Sequence, residues 1–93
     1  MLQYEWDDSK AAANEKKHGV TFEEACSVFL DPLATTYDDP DHSASEARFL
    51  TSGRSDRGRL LVVAHQEQSE ERIRIISARA LTRRETHAYQ EER

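Results

Sequence analysis

The sequence predicts an α+β fold: two N-terminal helices, a small antiparallel sheet of four to five strands, and a C-terminal helix. Three observations lead to this prediction. Two consecutive segments near the N-terminus carry helix caps and helical spacing, and three consecutive segments from residue 48 carry strand patterns. A further capping box opens the C-terminal segment. Ninety-three residues fit one domain, so residues 1–93 are expected to fold together.

The first third of the chain predicts one strand and two helices. Residues 2–6 alternate apolar and polar side chains, which is the period of a short half-buried strand. Residues 10–18 are an Ala-rich helical run that follows N-cap candidates and ends at Gly19, the usual C-cap residue. A capping box at residues 21–24 opens a second helix, whose helical spacing ends before Pro32.

The rest of the chain predicts an antiparallel meander and a last helix. Residues 60–63 are apolar on both faces, as in a central strand, whereas residues 72–75 alternate and turn one face to a polar environment. A capping box at residues 82–85 opens the last helix. The predicted elements are strands at 33–38, 48–54, 59–66 and 72–79, a polar loop at 39–45, turns at 55–58 and 68–71, and a helix from 82 to about 91.

Charge is divided unevenly along the chain. The first 42 residues hold three lysines and ten carboxylates, a net charge of −7, and the remainder holds ten arginines and eight carboxylates, a net charge of +2. Such asymmetry indicates a face for nucleic acid or for a protein partner. The whole-chain charge of −5 excludes a protein that holds nucleic acid by bulk charge alone, so a local arginine cluster would have to do it.

Cysteine usage and hydropathy indicate the compartment. Cys26 is the sole cysteine and cannot form a disulfide within the chain. The sequence has neither a signal-like apolar stretch after Met1 nor a run of 18 apolar residues. These features predict a cytoplasmic protein without a membrane partner.

Residues 72–79 are the first candidate site, because they place three arginines on a predicted strand. Guanidinium groups stay protonated and hold phosphates by paired hydrogen bonds, so arginines gathered on one sheet face would stabilise a phosphodiester and its transition state. The alternative is a solvated strand face, in which Arg72 and Arg74 pair with carboxylates across the preceding turn. Strict alternation separates Arg79 from Arg74 unless the strand ends or bulges at Ser77-Ala78.

His65, at the end of the central strand, is the candidate for proton transfer, because the unperturbed pKa of histidine is about 6.5. A structural role is the alternative. His42 and Glu46, together with Arg48, form a polar cluster that is either a site loop or a capped strand entry. Two tyrosines are candidates for base stacking. Tyr89, on the polar last helix, is the first, and Tyr37 is the second.

No metal or cofactor site is predicted. The four histidines lack i,i+4 spacing, and one cysteine gives no CxxC motif. The three glycines are isolated and fit turns rather than a phosphate-binding loop.

A series of short motifs covers nearly the whole chain, and together they resemble the BrnT family of toxins. The motifs are Tyr4-Glu5-Trp6-Asp7, Lys10, Asn14, Lys17-His18-Gly19-Val20, Phe22-Glu23-Glu24-Ala25, Val28-Phe29, Asp31-Pro32, the 42–48 segment, Gly58-Arg59-Leu60-Leu61-Val62-Val63, and Ile73-Arg74-Ile75-Ile76-Ser77-Ala78-Arg79 with Thr82, Glu85 and Tyr89. The ordered series is more specific than any single motif in it.

This resemblance implies a RelE-like fold, with the two N-terminal helices packed on one face of the sheet, and a ribonuclease activity that stops translation. It also implies a BrnA-like ribbon-helix-helix antitoxin, with operator DNA bound only through the antitoxin complex. The basic positions that match the family motifs are Arg48, Arg59, Arg74 and Arg79, so these residues are the implied catalytic candidates.

Combined with the residue chemistry, the resemblance predicts a metal-independent cleavage in which the ribose 2′-hydroxyl attacks the adjacent phosphate. In this hypothesis Arg74 and Arg79 stabilise the phosphorane, and Arg48 and Arg59 position the RNA backbone. His65 transfers protons, with Glu46 as the second candidate. The expected RNA-binding residues are Arg72, Arg83 and Tyr89.

Two segments of the chain depart from the family pattern, and an alternative function stays open. Residues 66–71 form an acidic turn where many relatives carry a hydroxyl residue and an arginine, and Ala80-Leu81 replaces a position that is commonly basic. Both differences would weaken contact with RNA. The alternative function is a non-catalytic, partner-binding subunit of a DNA-binding autorepressor complex.

Overall fold

A computed structural model describes residues 2–41 and 47–91 of the chain and contains one five-stranded sheet with three α-helices. The strand order across the sheet is β1-β5-β4-β3-β2. The elements are β1 (Gln3–Glu5), α1 (Asp8–His18), α2 (Phe22–Ser27) followed by a 3₁₀ turn (Val28–Leu30), β2 (Thr35–Asp38), β3 (Arg48–Arg54), β4 (Leu60–Ser69), β5 (Arg72–Ala80) and α3 (Arg83–Glu91).

The sheet is mixed rather than wholly antiparallel. Strands β2 to β5 pair antiparallel, as the meander pattern predicts for β3 to β5, but β1 pairs parallel to β5, with Gln3 opposite Arg72 and Glu5 opposite Arg74. The alternation of apolar residues in a short strand reports which side is buried and carries no information on the direction of its neighbour. The α+β fold class is confirmed, and its antiparallel description is corrected at this one edge.

Local capping explains where α1 begins and ends and where α2 begins. The Asp7 side chain accepts a hydrogen bond from the Lys10 N–H at 3.0 Å, which caps the start of α1. Gly19 ends α1 in the left-handed conformation, at a φ of 69°, where a residue without a Cβ is favoured. The Thr21 hydroxyl accepts from the Glu24 N–H at 3.1 Å and caps α2.

The hydrophobic core lies between the sheet and the two N-terminal helices. Alternate residues of β4 and β5 point to this side, and α2 supplies the opposing apolar side chains. Tyr4, Trp6 and Phe29 close the periphery of the core. The buried core residues are Val20, Phe22, Ala25, Val28, Leu61, Val63, Ile73, Ile75 and Ala78.

A β-bulge in β5 decides which side chains reach the core. Ser77 pairs with Ala64 and Ile75 pairs with His65, so Ile76 is the extra residue on the bulged strand. Because of this extra residue, Ile75 and Ala78 both point into the core although they are three positions apart. The interruption that a shared face for Arg74 and Arg79 requires is therefore present, one residue earlier than Ser77-Ala78.

Asn14 of α1 locks the end of this bulge to the helix layer. Its side-chain NH₂ donates to the carbonyls of Ala78 at 2.8 Å and Val20 at 3.0 Å, and its Oδ1 accepts from the Ala78 N–H at 3.1 Å. The side chain is buried at 7% exposure. One amide therefore satisfies three backbone groups that the core would otherwise leave unpaired.

We predict that Asn14→Ala lowers the free energy of unfolding by about 3 kcal/mol, because it leaves buried backbone groups of Ala78 and Val20 without partners. Urea unfolding at neutral pH measures the difference. Lys16→Ala, an exposed substitution on the same helix, serves as the control and should change the value by less than about 0.5 kcal/mol. Equal stability of the Asn14→Ala variant and the wild type would contradict the role given to this amide.

Candidate active site on the arginine face

The face of the sheet opposite α1 and α2 carries five arginines, and we call it the arginine face. The strand register aligns Arg48 of β3, Gln66 of β4, Arg74 of β5 and Glu5 of β1 in one row across this face. Because neighbouring strands are about 5 Å apart, the backbones of Arg48 and Arg74 are about 10 Å apart. The arginines of this face are Arg48 and Arg54 of β3 and Arg72, Arg74 and Arg79 of β5.

Glu5 holds two of these arginines. Its carboxylate accepts a hydrogen bond from Arg74 Nη1 at 2.9 Å and lies 3.7 Å from Arg72 Nε. Arg72 also donates to the Gln3 side chain at 3.3 Å. The alternative interpretation of the sequence paired these arginines with carboxylates across the preceding turn. The observed partner is instead Glu5 of β1, a strand whose position beside β5 has no signal in the sequence pattern.

Arg79 is held by Glu85 of α3. Its Nη1 and Nη2 donate to the two carboxylate oxygens at 2.7 and 3.0 Å, and the Thr82 N–H donates to the same carboxylate at 2.9 Å. These bonds, with the Arg79 pair as the largest cause, lower the pKa of Glu85 to about 2. The capping box predicted at residues 82–85 is present, and its carboxylate also orients a candidate catalytic arginine.

The β5 bulge brings Arg74 and Arg79 to the same face, which strict alternation would have prevented. Arg74 pairs with Gln66 and Arg79 with Val62, so four positions of β4 separate them, about 13 Å along the strand. Ser77 lies between them on the same face. Two long arginine side chains that lean toward each other can span this distance and contact one phosphate or its immediate neighbours.

Arg59 lies away from the arginine face, contrary to its predicted place in the site. Its Nε donates to Glu24 at 2.9 Å, and its Nη2 donates to the other Glu24 oxygen and, at 3.0 Å, to the Gly19 carbonyl. Ser55 donates to Glu24 at 2.7 Å. The Arg59 hydrogen bonds hold the pKa of Glu24 below its usual range, even though burial opposes this shift. Arg59 therefore ties the start of β4 to α2.

His65 also lies on the helix side of the sheet, 1% exposed, so the sheet separates it from Arg74 and Arg79. The register explains this position, because residues 61, 63 and 65 of β4 share one side and the first two are in the core. Its Nε2 forms a hydrogen bond of 2.7 Å with the Thr51 hydroxyl, and its ring packs against Phe29 and Phe49. Burial lowers the pKa of His65 to about 4, so the ring is neutral at physiological pH.

The other predicted site residues have separate places. Arg83 is exposed in the first turn of α3, and Tyr89 near its end donates from its hydroxyl to the Leu33 carbonyl at 3.3 Å. Helix α3 therefore begins beside Arg79 and ends beside the segment that precedes β2. The predicted cluster around His42 and the second proton-transfer candidate, Glu46, lie outside the described residues.

Two carboxylates of the site were missed by sequence reasoning. Glu5 reaches Arg74 only through the parallel pairing of β1, which has no local sequence signal. The sequence does mark Glu85 as the last residue of a capping box. That motif indicates the start of a helix, however, and does not indicate that Glu85 binds Arg79.

Within residues 2–41 and 47–91, no group of three or more His, Cys, Asp or Glu side chains is placed to hold a metal ion. None of the helices described there is both long and apolar enough to cross a membrane.

Fold and site together define a class: a small α+β domain whose sheet presents arginines suited to a phosphodiester. Residues 6–85 match the model of the ribonuclease toxin BrnT of type II toxin-antitoxin systems, and the chain belongs to this family. The resemblance seen in the sequence motifs is thereby confirmed.

A solved structure supports the fold independently. The chain superposes on the crystal structure of the Brucella abortus ribonuclease toxin BrnT, determined at 1.1 Å resolution, with a TM-score of 0.72 and 21% sequence identity. The match covers 89% of this chain and 100% of the Brucella chain. Comparison with curated protein sequences gave no match. At this identity the structural likeness establishes the shared fold, and it leaves the site residues to be tested.

We predict that His65 makes the protein less stable as the pH falls. The pKa of His65 is about 6.5 in the unfolded chain, and burial lowers it to about 4 in the folded protein. The neutral ring therefore contributes its full stabilisation above pH 6.5, and this contribution is lost as the pH falls from 6.5 to 4. The free energy of unfolding of the wild type should drop by about 3 kcal/mol more than that of His65→Gln between pH 7 and pH 4. Parallel pH profiles would contradict a buried neutral histidine.

Arg59→Ala should lower the melting temperature and leave the ribonuclease rate per folded molecule unchanged, because Arg59 contacts α2 and lies away from the arginine face. Thermal unfolding followed by circular dichroism, together with activity normalised to the folded fraction, measures both effects. Arg59→Lys should recover part of the stability, since lysine keeps the charge but loses the paired geometry. A rate loss at full stability would instead place Arg59 in the RNA site.

Proposed function

We propose that this toxin is a metal-independent endoribonuclease that inhibits translation by cutting RNA on the arginine face. The observation that carries the proposal is the placement of Arg48, Arg74 and Arg79 on one side of the sheet, with Arg74 and Arg79 paired to half-exposed carboxylates. A phosphate can take the place of such a carboxylate, because both pairs are open to water and a phosphate matches the paired guanidinium donors. The family's ribonuclease activity requires a phosphodiester site of this kind.

In the proposed reaction, the phosphate to be cleaved lies over Ser77 between Arg74 and Arg79. The ribose 2′-oxygen bonds to phosphorus, the bond from phosphorus to the 5′-oxygen breaks, and the products carry a 2′,3′-cyclic phosphate and a 5′-hydroxyl. The two guanidiniums stabilise the charge that grows on the phosphorane oxygens. Arg48 positions the RNA backbone from the neighbouring strand, while Arg72 and Arg83 contact flanking phosphates.

The proton acceptor in this scheme is Glu5. His65 has no access to the arginine face, so the candidate must come from this side of the sheet. Once a phosphate binds Arg74, the carboxylate of Glu5 is released beside the ribose and can take the 2′-hydroxyl proton. The departing 5′-oxygen receives a proton from solvent.

The partner in this proposal is a BrnA-like ribbon-helix-helix antitoxin that neutralises the toxin, and operator DNA is bound only through their complex. Both partners act in the cytoplasm. Membership of a type II toxin-antitoxin family supports an antitoxin and an RNA target. The chain's net charge of −5 also disfavours DNA binding by the toxin alone.

Arg74→Ala and Arg79→Ala should each reduce the rate of RNA cleavage by about 100-fold, because each removes a charge that stabilises the phosphorane. The measurement is single-turnover cleavage of a labelled RNA by the purified toxin, with EDTA present and absent. EDTA should have no effect. Arg57→Ala, in the exposed β3–β4 turn, provides a matched control with unchanged rate.

Two outcomes would overturn this proposal. Loss of cleavage on chelation with normal rates for both arginine variants would indicate metal-dependent chemistry elsewhere. Antitoxin binding without cleavage of any RNA, and without growth arrest when the chain is expressed alone, would favour the non-catalytic, partner-binding subunit. The carboxylates already bound to Arg74 and Arg79 show that this face can accept acidic groups, which is the feature in favour of that second function.

A further inference from the structure

A cavity lies between α3 and the β2 edge of the arginine face. Its volume is about 510 Å³, within the range of about 300–1,000 Å³ of small-molecule sites. Tyr37 of β2 and Tyr89 of α3 supply its aromatic surface, and Thr35 and Ser52 supply hydroxyl groups. The cavity has no role in the chemistry described for Arg74 and Arg79.

We propose that this cavity binds one unpaired nucleobase of the RNA, next to the phosphate held by Arg79. The proposal rests on the function given above and adds a base-binding subsite to it. Single-stranded RNA is commonly held by aromatic side chains on which splayed bases stack, combined with cationic groups that hold the backbone.

Both tyrosines are fixed in place, which favours a stacking platform over a loose surface patch. Tyr37 lies within β2 opposite Leu50 of β3, so the sheet sets its direction, and it remains 49% exposed. Tyr89 is tethered by the hydrogen bond from its hydroxyl to the Leu33 carbonyl. A platform that is already ordered loses little conformational freedom when a base binds.

Glu85 connects the cavity to the phosphate site. It lines the cavity and also forms the paired hydrogen bonds with Arg79, so the two sites share one side chain. Ser52, which lines the cavity, pairs with Val62, and Val62 pairs with Arg79, so the strand register also places Arg79 in the same row of the sheet as the cavity. Because Glu85 lines the cavity, a phosphate that takes the place of its carboxylate on Arg79 lies at the cavity mouth.

The test uses 2′-O-methyl trinucleotides, which the proposed reaction cannot cleave because they lack the attacking hydroxyl. One set carries each of the four bases at the centre, and the matched probe has an abasic central sugar. The wild type should bind the best central base about 10-fold more tightly than the abasic probe, as expected for one stacked base. Tyr37→Ala and Tyr89→Ala should remove this difference, whereas the corresponding phenylalanine variants should keep most of it.

His87→Ala serves as the matched control, since His87 is an exposed residue of α3 that does not line the cavity. A second measurement needs no variant: in the wild type, NMR signals of the Tyr37 and Tyr89 ring protons should shift with the base-containing probe and stay in place with the abasic probe. This readout keeps the test decisive if an alanine variant fails to fold.

The outcomes separate this subsite from the proposed function. If the wild type cleaves RNA but binds the abasic and intact probes equally, with no shift of the tyrosine signals, the subsite is refuted and the ribonuclease proposal stands. If no RNA is cleaved but the tyrosine-dependent preference is observed, the subsite stands and the catalytic proposal falls.

Discussion

The structure depends on one bulged position in β5 and on the buried amide that secures it. Ile76 is the extra residue, and it lets Ile75 and Ala78 enter the core while Arg74 and Arg79 both face away from it. Asn14 binds both backbone groups of Ala78 and so ties the bulge to α1. The same local irregularity therefore completes the hydrophobic core on one side of the sheet and assembles the arginine face on the other.

The arginines divide into two kinds according to the carboxylates that hold them. Arg59 binds Glu24, whose side chain is 3% exposed, and breaking that pair would leave a buried charge without its partner. Arg74 and Arg79 bind Glu5 and Glu85, whose side chains are 35% and 40% exposed. Water reaches these outer pairs, so in the proposed function an RNA phosphate competes with their carboxylates for the guanidinium donors. Burial of the carboxylate partner thus distinguishes the structural Arg59 from the two arginines proposed to bind substrate.

Sequence reasoning predicted the features that local chemistry determines. The caps at Asp7 and Thr21 and the capping box at residues 82–85 account for the starts of the three helices, and the strand patterns from residue 48 account for β3, β4 and β5. The parallel neighbour of β5 was not predictable, because long-range pairing leaves no local pattern. His65 was misplaced for a related reason: residues 60–63 are apolar on both faces, so the sequence does not show which side of β4 meets the helices. The partners of Arg59 and Arg79 likewise become visible only when α2 and α3 are placed against the sheet.

The central claim is that one face of the sheet, set by the β5 bulge, receives the phosphate that is cleaved. A crystal structure of the toxin with an RNA that carries a 2′-deoxyribose at the cleavage position tests this claim most directly. The account predicts a phosphate over Ser77, with its oxygens about 3 Å from guanidinium nitrogens of both Arg74 and Arg79. An RNA bound on the helix side beside Arg59, or a phosphate contacting neither Arg74 nor Arg79, would contradict it.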